Sequence, residues 1–221
     1  AAATISGKVS LNNAVRSFTV NDSLVPGTGD DLIVSAVISD GGVTGALTKD
    51  GFGTLVLTGN NTYAGTTTIN TGFFTEGITR LGGSLVLRGD GDIAQSSSVT
   101  VNAGASLVLD NRLGLASDAA GRIGNTAGIT LVGASLIHYG HATLAVNELV
   151  GLITINAPAD TVGGGSSTIR SIQTGTGSVT LTSTGLDRGA GATVQFVAEG
   201  ADLGSALNQI IFTAGAGTGL A

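Results

Sequence analysis

The chain has 221 residues, of which only 11% are charged, while 37 are glycine. A formal net charge of −6 and the absence of any basic cluster exclude a nucleic-acid binder, because phosphates require patches of Lys and Arg. The lack of Cys excludes thiolate metal sites, disulfides and a Cys nucleophile. No apolar run approaches the roughly 20 residues of a membrane helix, so no membrane span is expected. No basic region followed by an apolar stretch opens the chain, so no signal peptide is read there.

In chain order the same pattern recurs: a short alternating segment, then Gly, Asn, Asp, Ser or Thr. The predicted strands are Thr4–Ser10, Ser17–Asn21, Asp31–Ser39, Gly53–Thr58, Thr66–Asn70, Ser84–Arg88, Ser98–Asn102 and Ser106–Asp110. The second half adds Gly128–Val132, Ser135–Tyr139, Ala142–Asn147, Leu152–Asn156, Ser167–Ile172, Ser178–Ser183, Ala192–Ala198 and Gln209–Ala214. Apolar residues sit two apart, as in Leu55/Leu57, Val99/Val101 and Ile153/Ile155, which turns one face inward. Only Ser117–Ile123 and Ala201–Gln209 have any helical character.

Short strands, small corner residues and 4% aromatics favour a β-solenoid over an antiparallel jelly-roll sandwich. The expected fold is all-β, a parallel β-helix with about three short strands per coil, covering 1–221 as one unit. At about 20 residues per coil the chain would make about eleven coils and a rod about 50 Å long.

Residues Ala46 to Gly72 read ALTKDGFGTLVLTGNNTYAGTTTINTG. This stretch resembles the passenger-associated transport repeat, also called the autotransporter-associated β-strand repeat. The matching positions are Leu47, Thr48, Lys49, Gly51, Gly53, Thr54, Leu55, Leu57, Gly59, Asn61, Thr62, Tyr63, Gly65, Thr67, Ile69, Asn70 and Gly72. Ser96–Leu107 is similar to the segment that follows the repeat, Phe73–Leu81 looks inserted, and the resemblance spans roughly 43–115. It implies a right-handed parallel β-helix in a secreted or surface-exposed bacterial passenger, where the repeat is structural and not catalytic.

Other motifs are weighed against plainer roles. His138 and His141 are three apart, which places them on opposite faces of a strand, with Glu148 the nearest acid; a strand end and turn is preferred to a metal site. Arg88-Gly89-Asp90 has the form of an integrin ligand, and Asp90 with Asp92 that of a calcium turn, but a plain Gly-Asp turn explains both. Gly163-Gly164-Gly165 lacks the following Lys of a phosphate loop. Asp30, Asp31 and Asp40 read as turn acids, Lys49 as a solvated edge charge and Tyr63 as a corner cover. Asn60, Asn61, Asn70, Asn102 and Asn156 are expected to stack between coils and satisfy turn backbone.

No catalytic residues, cofactor or metal are assigned, and the chain is expected not to be an enzyme. The expected role is a structural stalk, scaffold or self-assembling fibre. An adhesin-like module for a host or surface ligand, and a polysaccharide-processing β-helix, are the alternatives. Uncharged ends such as Ala214–Ala221 point to end-to-end self-association by strand addition.

Overall fold

The computed structural model describes residues 2–23, 29–71, 82–114, 121–158 and 165–214. The first coil is built from β1 (Ala3–Ile5), β2 (Lys8–Ser10) and β3 (Val15–Thr19), and the second from β4 (Leu32–Val34), β5 (Val37–Ser39) and β6 (Ala46–Asp50). Three coils of two strands follow: β7 (Thr54–Leu57) with β8 (Thr67–Ile69), β9 (Ser84–Arg88) with β10 (Ser98–Val101), and β11 (Ser106–Asp110) with β12 (Gly128–Val132). The sixth coil has β13 (Ser135–Tyr139), β14 (Val146–Val150) and β15 (Ile153–Asn156). The seventh has β16 (Ser166–Ile172), β17 (Val179–Ser183) and β18 (Leu186–Arg188); β19 (Thr193–Glu199) and β20 (Asn208–Phe212) lie beyond.

Corresponding strands stack in parallel on three faces. Face A is the eight-stranded sheet β1-β4-β7-β9-β11-β13-β16-β19, and face C is the seven-stranded sheet β18-β15-β12-β10-β8-β6-β3. The third face is a pair, β2-β5, at one end and a trio, β14-β17-β20, at the other. Between them it shrinks to single parallel bridges, Asn60 to Asp92 and Ile93 to Ile123. Every pairing of named strands is parallel, as in Leu85 with Leu107 and Val99 with Ile129, which excludes the jelly-roll alternative.

The period of two explains the interior. Leu57, Leu87 and Leu109 occupy one inward column in register, and Ile69, Val101, Leu131 and Ile155 another. All seven are fully buried. Parallel register puts identical chemistry above itself at about 4.8 Å, so aliphatic side chains of similar size fill a narrow core without rings. Val56, Val86 and Val108 form a second buried cluster on the outer side of face A.

Two expectations are corrected. The stack is eight rungs deep, which at 4.7–4.9 Å per step is about 34 Å between end rungs, not 50 Å. The 20-residue coil is real only where Leu47 pairs with Thr67; the next step on face C, Thr67 to Val99, takes 32 residues. Thr4–Ser10 and Asp31–Ser39 are each split in two strands by a corner, the first at Gly7 with φ +92°. No helix occurs among the described residues: 201–207 form turns, while of Ser117–Ile123 residues 117–120 lie outside the described residues and Ile123 joins a parallel bridge.

Close stacking makes particular glycines obligatory. A Cβ on Gly65 would lie 2.1 Å from the Gly45 carbonyl oxygen of the coil below, and one on Gly51, at φ +85°, would lie 2.3 Å from that of Val20. Gly65→Ala is therefore expected to destabilise the chain by about 1–3 kcal/mol, the usual cost of overpacking. Denaturant unfolding followed by far-UV circular dichroism measures it; an unchanged midpoint contradicts this packing.

Candidate functional site

The stretch that resembles the repeat forms one complete turn of the solenoid, from β6 through β7 to β8. Leu47, Leu55, Leu57 and Ile69 point into the core and are fully buried. Gly53 and Gly65 donate backbone N–H bonds to Val20 and Gly45, and Thr62 to Ile38, so the coil is sewn to the one below. The Thr54 N–H donates to Asp31 Oδ2 at 2.8 Å. Gly59 lies against the Ala36 carbonyl of the previous coil. Thr48 faces outward, half-buried. Gly72 and the inserted Phe73–Leu81 fall outside the described residues, as does most of the Gly163–Gly165 run.

Three residues of this coil are more buried than composition implies. Lys49 is not a solvated edge charge: it shares the inward phase of Leu47 and is fully buried, with its Nζ donating to the Gly51 carbonyl. Burial pushes its ammonium down to about 8, against the pull of Asp50 and Asp31. Tyr63 is fully inside rather than over a corner. Its hydroxyl is 2.7 Å from Thr67 Oγ1, which is 2.9 Å from Ser96 Oγ, which donates to the Gly65 carbonyl at 2.8 Å. Burial raises the Tyr63 pKa. Asn61 Oδ1 accepts the Ile38 N–H at 2.9 Å, and its amide nitrogen donates to the Gly59 and Asp92 carbonyls at 2.9 and 2.8 Å.

Asn61 begins a polar spine along the third face, where regular strands are missing. Arg122, fully buried, follows. Its guanidinium donates to the carbonyls of Gly91 (2.5 Å), Asp110 (2.9 Å) and Gly114 (2.9 Å) and to Asn111 Oδ1 (2.8 Å). Glu148, on β14, accepts the N–H groups of Arg122 and Ile123 at 3.0 and 2.8 Å. Burial pushes the Glu148 carboxyl up to about 7, against those two N–H bonds. Sequence reading named Glu148 only as a neighbour of the histidines and missed Arg122 altogether.

The histidines do not converge. His138 is fully buried in the inward column between Leu109 and Ser171, and among the described residues neither ring nitrogen has a hydrogen-bond partner. Burial, aided by the Arg122 charge, pushes it down to about 3. His141 lies in the following turn, where its Nδ1 accepts the N–H groups of Thr143 and Leu144 at 3.2 and 3.1 Å. Among the described residues, no group of three or more His, Asp or Glu side chains is placed to hold a metal ion.

The remaining acids mostly hold structure. Asp31 accepts the Ser23 N–H at 2.9 Å as well as that of Thr54, and Asp40 accepts those of Gly45 and Ala64 at 2.7 and 3.0 Å. Arg88 binds Asp30 at 2.7 Å and Asp110 at 2.9 Å, so its guanidinium is engaged on the solenoid wall and not offered as an integrin ligand. Asp110 also takes Arg112 at 2.8 Å, and Arg112 lies 4.1 Å above the Tyr139 ring. Burial raises the Asp110 pKa, but bonds from Arg112 and Arg88 outweigh it and hold the carboxyl below the usual range. Asp92 is buried while Asp90 is exposed, so the two do not form one calcium turn. Asn102 donates to Asn70 Oδ1 at 2.6 Å, and Asn70 donates to Asp50 Oδ1 at 2.8 Å, which gives the expected stack between coils. Asn60 instead bridges Asp92 through its backbone, and Asn156 pairs with Val132.

Asn61→Ala strands one buried N–H and two carbonyls, and is expected to cost at least about 2 kcal/mol in denaturant unfolding. An unchanged midpoint would show that these bonds are dispensable. Two of the buried titrating groups, His138 and Glu148, have opposite pH signatures. His138 binds a proton more readily when unfolded, so its contribution to stability is lost as pH falls from about 6.5 towards 3. Glu148 holds its proton more tightly when folded, so its contribution is lost as pH rises from about 4.5 to 7. His138→Leu is expected to remove the first slope and raise stability in acid; Glu148→Gln is expected to remove the second. Unfolding midpoints across pH 3–8 check both, and unchanged slopes contradict the assignments.

The family model of the passenger-associated-transport-repeat matches residues 47–73. Neither a curated protein nor a solved structure matches the chain. The match is narrower than the 43–115 region of resemblance and coincides with the one 20-residue coil. Residues 47–73 carry a passenger-associated transport repeat, consistent with an autotransporter passenger repeat.

Proposed function

We propose that the chain is a non-catalytic structural segment of an autotransporter passenger, acting as a stalk or scaffold on the bacterial surface or after release. The repeat and the β-solenoid fold support the passenger reading, and the repeat family supports a secreted or surface location. The observation that carries the structural reading is the use of scarce charge. Asp31, Asp40, Asp110, Arg122 and Glu148 all hold backbone or one another, which makes them fasteners.

Fibre formation is the self-assembling form of this role. Among the described residues, the outermost strands β1, β3, β18 and β19 each pair on one side only. Such an edge accepts a further parallel rung, from the same polypeptide or from a neighbour.

Sedimentation at rising concentration with negative-stain imaging tests this. The scaffold reading expects protease-resistant rods, and the fibre form expects rods that lengthen in axial steps. Particles that stay single at every concentration overturn the fibre form. Rapid proteolysis of the intact chain overturns the scaffold reading.

A further inference from the structure

Between Asp50 on β6 and Asp187 on β18, the outer surface of face C is an uncharged track. Thr48, Thr68, Thr100, Thr130 and Thr154 stand directly above one another on five successive strands, all half-buried. Two residues along each of the first three strands lie Asp50, Asn70 and Asn102, which form the hydrogen-bonded stack. At the lower end of that stack a cleft of about 410 Å³ opens, lined by Thr19, Asn21, Asp50, Phe52, Asn70 and Thr71. Its size falls in the range of small-ligand pockets and suits one or two sugar rings.

We infer that this cleft and track bind a neutral glycan chain. The cleft offers fixed polar groups with spare capacity. Asn70 holds Asp50 by Oδ1 alone, which leaves Oδ2 to accept from a ligand hydroxyl. Asn21 is exposed, and no hydrogen bond is made by its amide or by the Thr19 and Thr71 hydroxyls among the described residues. Carboxylate, amide and hydroxyl groups together satisfy vicinal hydroxyls, which both donate and accept.

Charge selects a neutral ligand. Among the described residues, Asp50 is the sole charged one lining the cleft, and it repels carboxylate or sulfate groups. Lys49 cannot offset it for a ligand, because its ammonium is buried against the Gly51 carbonyl. From the cleft, the chain passes onto Thr68 with Asn70, then Thr100 with Asn102, meeting no charge. The register, set at about 4.8 Å per rung, presents the same hydroxyl–amide pair on two successive strands, Thr68 with Asn70 and Thr100 with Asn102. This reading goes beyond the scaffold role and does not depend on it.

The test is calorimetric titration of the purified chain with cellohexaose, maltohexaose and mannohexaose, with a galacturonate hexamer as anionic control. At least one neutral hexamer is expected to bind and the control not. Asn21→Ala with Asp50→Ala is expected to weaken binding about tenfold or more, the effect of losing about 1.4 kcal/mol of polar contact. Thr100→Lys, at a half-buried position on the outer side of the track, is expected to weaken hexamers while leaving disaccharide binding intact. An unchanged melting temperature for Thr100→Lys separates loss of the track from loss of the fold. No neutral hexamer bound, preference for the anionic control, or binding indifferent to both variants overturns the inference. Concentration-dependent self-association abolished by Thr100→Lys also overturns it, since a second copy would then occupy the track.

Discussion

The structure depends on one constraint: each coil's buried backbone groups must be satisfied by the coil above and the coil below. Faces A and C meet it with unbroken parallel ladders of eight and seven strands. The third face does not, because in coils three to five its described residues form only single bridges and no strand. An unpaired buried N–H or C=O costs about 1–3 kcal/mol, and such groups would accumulate over three successive coils. Asn61, Arg122 and Glu148 prevent this by placing side-chain donors and acceptors where ladder partners would be. The third face is thus continuous in hydrogen bonding although its strands are not.

This explains the composition. A chain with 9 Lys and Arg against 15 Asp and Glu uses several of them inside or in the wall rather than in solvent. Arg122 suits its place because a planar fork with five N–H donors can reach several carbonyls at once. Asp110 draws Arg88 and Arg112 together on the outside of face A, and Lys49 closes the corner at Gly51. What remains on the outside of face C between Asp50 and Asp187 is mostly Thr, Asn and Ser, which is why the track there is uncharged.

Much of the fold was legible because a period of two is a direct consequence of strand geometry. Ser84–Arg88, Ser106–Asp110, Gly128–Val132 and Ser135–Tyr139 were bounded correctly by alternation and flanking small residues. The repeat coil was legible from its motif. Coil length was not, since a uniform coil of about 20 residues was assumed and the corners of most coils are longer. Three-residue β18 was too short to show a period, and β6 was seen only within the motif. The polar spine was hidden for a different reason. Charged residues are read as exposed by default, and only phase with Leu47 marks Lys49 as inward. Arg122 sits beside a single bridge with no period to assign its direction; four hydrogen-bond acceptors brought together from other segments do so.

The central claim is that side chains replace a missing ladder on the third face. Residue-resolved amide hydrogen exchange tests it most directly, at the N–H groups of Ile38, Arg122 and Ile123, which donate to Asn61 and Glu148 side chains. The account predicts protection equal to that of ladder amides such as those of Leu107 and Val99. Exchange at these three sites as fast as in exposed turns would contradict it.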